Sequence, residues 1–168
     1  MNVNLIVTDD FLQDPDHVRE QVLQLPFERD GGYPGMRSDS ADEEYRRFIQ
    51  QKIQGILGVT ITAWKMDSFC FQLCYDGADT WVHKDQSQWA GVLYLTPGAP
   101  LESGTGIYDE NNELVTAIGN VYNRLILYRG NLNHSSMMPG FGNSPETGRL
   151  TQVFFFNTTK KSTWDDVK

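Results

Sequence analysis

The sequence has few cysteines, few prolines and no long apolar run. Its 168 residues include two cysteines and seven prolines. No run of about 18 apolar residues is present, so we expect no transmembrane helix. The N-terminus lacks the basic and then apolar pattern of a secretory signal. Cys70 and Cys74 would lie too far apart on an extended strand for a disulfide. We therefore expect two buried thiols in a reducing, cytoplasmic compartment.

Basic residues are outnumbered by acidic ones. The chain has 14 Lys and Arg against 22 Asp and Glu, a formal net charge of −8 and a pI near 4.7. Because nucleic-acid-binding surfaces are typically basic, we do not expect a nucleic-acid partner. The hydrophobic content of 39% is typical of a folded globular chain, and the length suits one domain. The sequence leaves the oligomeric state open.

The first 58 residues predict a helical support region that follows one short strand at 4–8. Asp14 and Pro15 are typical of an N-cap and first helical position. A loop is predicted over 26–39, and a second helix over 40–57. The lone histidine of this region, His17, is expected to be a surface or capping residue.

From residue 59 the pattern changes to alternating apolar and polar residues rich in aromatic and β-branched types, which favours strands. Short strands separated by regular turns predict a β-sandwich or jelly roll. We therefore expect a single domain over 1–168, with the support region at 1–58, a β core at 59–157 and a tail at 158–168. Strands are predicted near 59–64, 68–75, 80–84, 89–95, 105–108, 113–117, 124–129 and 149–157.

Two of the three histidines occur in strand-like, apolar surroundings. His83 and Asp85 are two residues apart, so an extended strand directs both side chains to one face. Two imidazoles and one carboxylate on one side of a metal form the ligand set of non-haem Fe(II) oxygenases, which leaves positions open for substrates. His134 would supply the second imidazole. By itself the His83–Asp85 pair is more typical of a salt-bridged strand end than of a metal site.

A single arginine, Arg149, begins the otherwise apolar last strand. Thr151 shares its face of the strand, and Leu150 takes the other. An inward guanidinium needs an anion, since an unpaired buried charge is costly. A guanidinium beside a hydroxyl is suited to a carboxylate, which it can bind through two parallel hydrogen bonds.

Taken together, His83-x-Asp85, His134 and Arg149-x-Thr151 resemble the 2-oxoglutarate- and Fe(II)-dependent oxygenases, in the prolyl 4-hydroxylase-like branch. Two features depart from that branch, namely arginine where lysine is common at the far carboxylate and Ser103-Gly104 where two glycines are usual. Further similar segments are Asp10-Phe11-Leu12, Tyr75-Asp76-Gly77, Ala90 to Leu95, and Glu102 to Tyr108.

The resemblance implies an α+β, mainly β fold, a double-stranded β-helix (jelly roll) flanked by two N-terminal helices. It implies that His83, Asp85 and His134 bind Fe(II) as the catalytic centre. It also implies that Arg149 and Thr151, with Tyr75, bind the far carboxylate of 2-oxoglutarate. The implied reaction hydroxylates a C–H bond with O2 while 2-oxoglutarate is decarboxylated to succinate, with ascorbate in support.

The prime substrate is not specified by these motifs; a peptidyl proline-like residue and a small molecule both remain open. Candidate substrate contacts are Tyr33, Arg37, Trp81 and Tyr94. Two alternatives to an oxygenase also remain, a non-catalytic jelly-roll binding module and a cupin-like metalloenzyme that does not use 2-oxoglutarate. The paired Arg149 and Thr151 disfavour the second, because a metalloenzyme without a dicarboxylate needs no such clamp.

Overall fold

The computed structural model describes residues 3–29 and 31–159. These residues contain two helices and ten strands, with a short 3-10 helix at Leu101–Ser103. In order they are β1 (Leu5–Thr8), α1 (Pro15–Val22), β2 (Met36–Ser40), α2 (Glu43–Leu57), β3 (Ile61–Trp64), β4 (Cys70–Cys74), β5 (Trp89–Tyr94), β6 (Thr105–Tyr108), β7 (Leu114–Ile118), β8 (Leu125–Arg129), β9 (Asn133–Ser136) and β10 (Arg149–Thr158).

The strands form two antiparallel sheets. The larger has seven strands in the order β1-β8-β5-β10-β4-β2, and β3 also pairs with β10. The smaller has three strands in the order β7-β6-β9. This mainly β architecture with two helices confirms the predicted fold class.

Successive side chains of the long strand β10 point to opposite faces of the large sheet, and each face borders a separate part of the core. Leu150, Phe154 and Phe156 point to one face and pack in a cluster with Ile49 and Ile53 of α2. The opposite face meets the smaller sheet through a second cluster that includes Tyr94 of β5, Ile107 of β6 and Tyr128 of β8. Arg149 and Thr151 lie on this second face, as the spacing predicted. The helices therefore stabilise the outer side of the large sheet and leave its inner side for a site.

The helix boundaries follow their capping residues. Asp14 accepts a hydrogen bond from the backbone N–H of His17 at 3.0 Å, and Pro15 occupies the first turn of α1, as predicted. The second helix begins at Glu43 rather than Ser40, because the Asp42 side chain caps it by accepting from the Tyr45 N–H at 2.9 Å. It ends at Gly58, whose φ of 64° is the left-handed conformation that glycine adopts readily.

Three predictions about strands were wrong. The predicted loop 26–39 contains the start of β2, which pairs with β4, so the helical support region also contributes strands to the large sheet. The strand β9 was not predicted. Conversely, 80–84 is not a strand, and its only ladder contact is an isolated bridge from His83. The other strands agree with the prediction to within two residues at each end.

Both cysteines are free and buried, as predicted. Burial raises the pKa of the Cys70 and Cys74 thiols, so both are uncharged near neutral pH. No helix in residues 3–29 and 31–159 is long and apolar enough to span a membrane. Most of the predicted tail at 158–168 lies outside the described residues.

Asn123 connects the N-terminal segment to the large sheet through hydrogen bonds. Its Oδ1 accepts from the Leu12 N–H and its Nδ2 donates to the Leu12 carbonyl, both at 2.8 Å. The side chain is buried and the backbone φ is 63°. Its own N–H donates to the carbonyl of Tyr94 at 2.9 Å, so the same residue connects the segment before α1 to the end of β5.

We expect Asn123→Ala to destabilise the fold, because it leaves two backbone groups of Leu12 unpaired. Asn112 is a matched control, since it is exposed and also has a positive φ, of 62°. Asn123→Ala should reduce the free energy of unfolding by about 2–4 kcal/mol more than Asn112→Ala. Urea denaturation measures both values. Equal losses would show that backbone strain, and not the buried hydrogen bonds, dominates at Asn123.

Candidate metal and anion site

The two histidines predicted as ligands face each other across an antiparallel bridge. The His83 N–H donates to the His134 carbonyl at 3.0 Å, and the His134 N–H donates to the His83 carbonyl at 2.9 Å. Residues paired in this way direct their side chains to the same face. Their ring centroids are 4.4 Å apart. The backbone alone therefore brings the two imidazoles together.

The third predicted ligand, Asp85, is held by the turn that precedes His134. Its N–H donates to the Gly130 carbonyl at 2.7 Å, and the Gly130 N–H donates to the Gln88 carbonyl at 3.0 Å. A side chain at position 130 would not fit, because its Cβ would lie 2.1 Å from the carbonyl oxygen of Ser87. Glycine at this position lets the loop carrying Asp85 approach the turn closely.

Hydrogen bonds fix which nitrogen of each imidazole faces the site. His83 Nδ1 lies 3.0 Å from the Trp81 carbonyl, and His134 Nδ1 lies 2.8 Å from the Leu132 carbonyl. Because a carbonyl only accepts, both Nδ1 atoms carry the proton and both Nε2 atoms present lone pairs. His83 Nε2 lies 3.7 Å from one oxygen of Asp85, and His134 Nε2 lies 3.2 Å from the other.

The donor set fits a metal ion. One ligand atom from each of His83, Asp85 and His134 lies within 4.8 Å of the others. Asp85 Oδ2 is buried without a hydrogen-bond partner in the structure, although His134 Nε2 is near it. A buried carboxylate oxygen without a hydrogen-bond partner, next to the Nε2 atom of His134, is suited to a bound cation. Two histidines with one carboxylate are suited to non-haem Fe(II).

The predicted anion clamp lies on the same inner face of the large sheet. Arg149 and Thr151 are buried, with exposures of 3% and 1%. Arg149 Nε donates to the Ser103 carbonyl at 2.8 Å, which orients the guanidinium and leaves its two terminal NH2 groups for other acceptors. Within the described part of the chain, no carboxylate lies at ion-pair distance from Arg149. A buried guanidinium without a protein anion is suited to an anionic ligand.

Two buried tyrosines support these groups. Tyr94 lies beneath Arg149, whose Cζ is 5.8 Å from the ring centroid, and its hydroxyl is 2.7 Å from Thr105 Oγ1. The ring of Tyr128 packs against His134 at 4.6 Å between centroids. Burial raises the pKa of Tyr94 and, with a contribution from the charge of Asp85, raises that of Tyr128 well above its usual value. Both phenols are therefore neutral.

One cavity of about 770 Å³ joins the two groups of residues. Its lining includes the three candidate ligands together with Arg149 and Thr151. The structure thus brings together five of the six residues predicted to bind metal and 2-oxoglutarate. The sixth, Tyr75, lines a neighbouring cavity of about 420 Å³ instead.

Three of the four predicted substrate contacts also line the larger cavity, namely Tyr33, Arg37 and Trp81. The Arg37 guanidinium stacks on the Tyr33 ring at 4.0 Å, and Trp81 is 47% exposed at the opening. Tyr94 does not belong with them. It is fully buried behind Arg149, so it supports the clamp and is not a surface for the prime substrate.

Several residues that line the cavity were not predicted as functional, among them Gln72, Thr105 and Tyr128. The sequence position of Tyr128, in the strand just before His134, could have indicated a role at the site. The side chains of Gln72 and Thr105 point inward because of how their strands pair. Gln72 pairs with Thr151 across β4 and β10, and Thr105 pairs with Ser136 across β6 and β9.

Comparison with solved structures identifies proteins with this fold. HygX from Streptomyces hygroscopicus, solved with nickel and 2-oxoglutarate bound, matches with a TM-score of 0.70 and 10% identity over 94% of this chain and 84% of that one. A Trichoplax adhaerens prolyl hydroxylase, solved with a peptide fragment of the hypoxia-inducible factor oxygen degradation domain, matches with a TM-score of 0.66 and 14% identity over 91% and 83%. A Pseudomonas putida prolyl-4-hydroxylase gives 0.60 and 16% over 91% of each chain.

At these identities the likeness shows the fold. The chain has the double-stranded β-helix fold of these solved proteins, which confirms the fold that the sequence resemblance implied. At the sequence level, residues 109–156 match a family of unknown function, DUF6445. Comparison with curated proteins finds no significant match.

We expect Asp85→Ala to remove metal-dependent stabilisation, because it removes one of the three candidate ligands. The wild type should gain about 2.7 kcal/mol of stability when Zn(II) or Ni(II) is present at 100 times its Kd. The variant should gain nothing. Thermal unfolding with and without metal measures both.

Asp79→Ala is the control for this change, since Asp79 is an exposed aspartate in the preceding loop. It should retain the full response to metal. A normal response to metal in Asp85→Ala would contradict the ligand assignment.

Proposed function

We propose that this protein is a 2-oxoglutarate- and Fe(II)-dependent dioxygenase that hydroxylates a C–H bond of a substrate held in the larger cavity. His83, Asp85 and His134 would hold the metal. Arg149 and Thr151 would bind the far carboxylate of 2-oxoglutarate. The fold of the matched oxygenases supports this kind of reaction.

The observation that carries the proposal is the presence of two complementary polar groups in one cavity. One is the carboxylate of Asp85, whose oxygens lie 3.7 Å from His83 Nε2 and 3.2 Å from His134 Nε2. The other is the buried guanidinium of Arg149, which has no carboxylate partner among residues 3–29 and 31–159. A ligand with a chelating 2-oxo acid at one end and a carboxylate at the other satisfies both.

The residues of the chain orient this ligand and exclude water from it. The bond from Arg149 to the Ser103 carbonyl fixes the guanidinium plane, so that its terminal NH2 groups are presented to a carboxylate before the ligand arrives. Thr151 lies next to Arg149 on the same face of β10, and its buried hydroxyl can donate a further hydrogen bond to the carboxylate. Preorganised donors cost little reorganisation on binding. His83 is 40% exposed while His134 is 5% exposed, so the candidate metal site opens to the cavity on the His83 side.

The bound metal would supply the redox chemistry that couples decarboxylation of 2-oxoglutarate to succinate with the use of O2. The protein would contribute position. The two backbone-fixed imidazoles and Asp85 would hold the metal, and the inner face of the large sheet would bind the co-substrate. The lining of the cavity would position a C–H bond of the prime substrate for reaction.

The test is turnover of 2-oxoglutarate by the purified protein. With Fe(II), ascorbate and O2 we expect slow succinate formation even without a prime substrate. Asp85→Ala should abolish it. Absence of both turnover and 2-oxoglutarate binding in the wild type would contradict the proposal.

Variants of the clamp should change 2-oxoglutarate affinity in graded steps. Arg149→Lys keeps a positive charge but loses the two-pronged geometry and the bond to Ser103, so we expect about 10- to 100-fold weaker binding. Thr151→Val keeps the shape and removes one hydroxyl, for which we expect about 3- to 10-fold. Isothermal titration with the Zn(II)-loaded protein measures both, and circular dichroism checks that each variant is folded.

Arg47→Gln serves as the control for both clamp variants, because Arg47 lies on the exposed side of α2 paired with Glu43. Its 2-oxoglutarate affinity should equal that of the wild type. If Arg149→Lys also binds 2-oxoglutarate with wild-type affinity, the clamp has been assigned wrongly.

A further inference from the structure

A ladder of paired residues extends across the inner face of the large sheet and ends at a second arginine. Tyr94 pairs with Thr151, Thr151 pairs with Gln72, and Gln72 pairs with Arg37. Directly paired residues direct their side chains to one face. With neighbouring strands about 4.8 Å apart, the backbone of Arg37 lies about 10 Å from that of Thr151. Arg37 is therefore a second cation of the same cavity, two strands away from the clamp.

The guanidinium of Arg37 is held in place by a neutral acceptor. Its Nε and one terminal nitrogen both donate to Gln72 Oε1, at 3.0 and 2.9 Å. The Gln72 amide is fixed in turn because its Nε2 donates to the Pro34 carbonyl at 2.8 Å. Tyr33 covers one face of the guanidinium. The arginine side chain is only 12% exposed, yet it lines the cavity.

One carboxylate, that of Asp67, pairs with Arg37. Its Oδ2 lies 3.0 Å from the other terminal nitrogen, and the Asp67 side chain is 46% exposed. Solvent on the aspartate side screens this pair in part. A guanidinium has five N–H donors, and these contacts use three of them. Two donors remain for a further acceptor in the cavity.

Cations outnumber carboxylates in the lining of the cavity. Among the described residues, the lining contains Arg37, Lys65, Lys84 and Arg149 against Asp67 and Asp85. Lys84 is paired with Glu110, whose carboxylate lies 3.1 Å from its Nζ. Lys65 and Arg149 still leave a local positive excess, which attracts anions.

Between the two arginines the wall is apolar. Val92, Val153 and Phe155 line the cavity on the same face of the sheet as Thr151. At the opening, Trp81 is 47% exposed and Met66 is 89% exposed. A molecule that fits this lining has an apolar body and one terminal negative charge.

Resting on the proposed function, we propose that the prime substrate is a carboxylic acid with an apolar body, and that Arg37 binds its carboxylate. Gln72 is the positioning residue that holds the guanidinium, and Tyr33 covers it. The apolar body lies along Val153 and Phe155, towards the three candidate metal ligands. Arg149 binds the co-substrate and Arg37 binds the substrate.

Binding of acids and of their neutral amides tests this directly. The probes are 3-phenylpropionate, 4-methylpentanoate and N-acetylleucine, each against its carboxamide, and a capped hexapeptide with one Glu against the same peptide with Gln. The protein is loaded with Zn(II) and 2-oxoglutarate, so that no turnover occurs, and NMR-monitored titration gives each Kd. We expect at least one acid to bind about tenfold or more tightly than its amide, and Arg37→Gln to remove that preference.

Two further variants separate binding from a structural role of Arg37. Asp67→Asn removes the competing carboxylate and keeps a residue that tolerates the φ of 68° at this position. It should strengthen acid binding by about twofold to fivefold, which a merely structural Arg37 would not produce. Arg124→Gln also breaks an Arg–Asp pair, with Asp9, but Arg124 does not line the cavity, so the preference for acids should persist.

Two results would overturn the inference. In one, the wild type binds acids and amides with equal affinity, or binds neither. In the other, Arg37→Gln retains the preference for acids. A preference shown by the small acids identifies a free metabolite, and one shown by the peptide pair alone identifies an acidic side chain of a protein. If the wild type fails to bind 2-oxoglutarate in the loading step, it is the proposed function that fails.

Discussion

The candidate site depends on the pair of backbone hydrogen bonds between His83 and His134. These two bonds are an isolated bridge, not part of a longer ladder, and they hold two distant segments of the chain together. They set both rings on one face. The carbonyls of Trp81 and Leu132 then direct both Nε2 lone pairs to the same place. Gly130 completes the arrangement by letting the Asp85 loop approach. The ligand geometry is thus fixed by the main chain, with the side chains adding donor chemistry.

The second constraint is the alternation of β10. One face of this strand packs towards α2 through Leu150, Phe154 and Phe156, and its Gln152 accepts a hydrogen bond from Tyr45 of α2. The other carries Arg149, Thr151, Val153 and Phe155 towards the cavity. Because β10 pairs with β5 on one side and with β4 on the other, its inward residues extend into a row that reaches Arg37 on β2. The register of these strands therefore places the co-substrate clamp, the apolar wall and the second arginine on one face of the sheet.

The sequence predicted the parts of the site that depend on short-range periodicity. Arg149 and Thr151 share a face because they are two apart, and an arginine in an otherwise apolar strand indicates an anion by its charge alone. Periodicity did not predict pairing between distant segments. The strand β2 is short and largely polar, with the sequence MRSDS, so its strand character comes from pairing with β4. Residues 80–84 have good strand propensity but form only one bridge. Tyr94 illustrates the same limit, since only the fold shows that its ring lies behind Arg149.

The central claim is that the candidate metal centre and the Arg149 clamp hold the two ends of one molecule. The most direct measurement compares the affinities of 2-oxoglutarate and of glutarate, which lacks the 2-oxo group, with and without Zn(II). We expect metal to strengthen 2-oxoglutarate binding by at least about tenfold, a typical coupling between sites. Glutarate, which has the far carboxylate but no chelating end, should respond much less. Equal responses of the two acids, or no response of either, would contradict a shared ligand for the two sites.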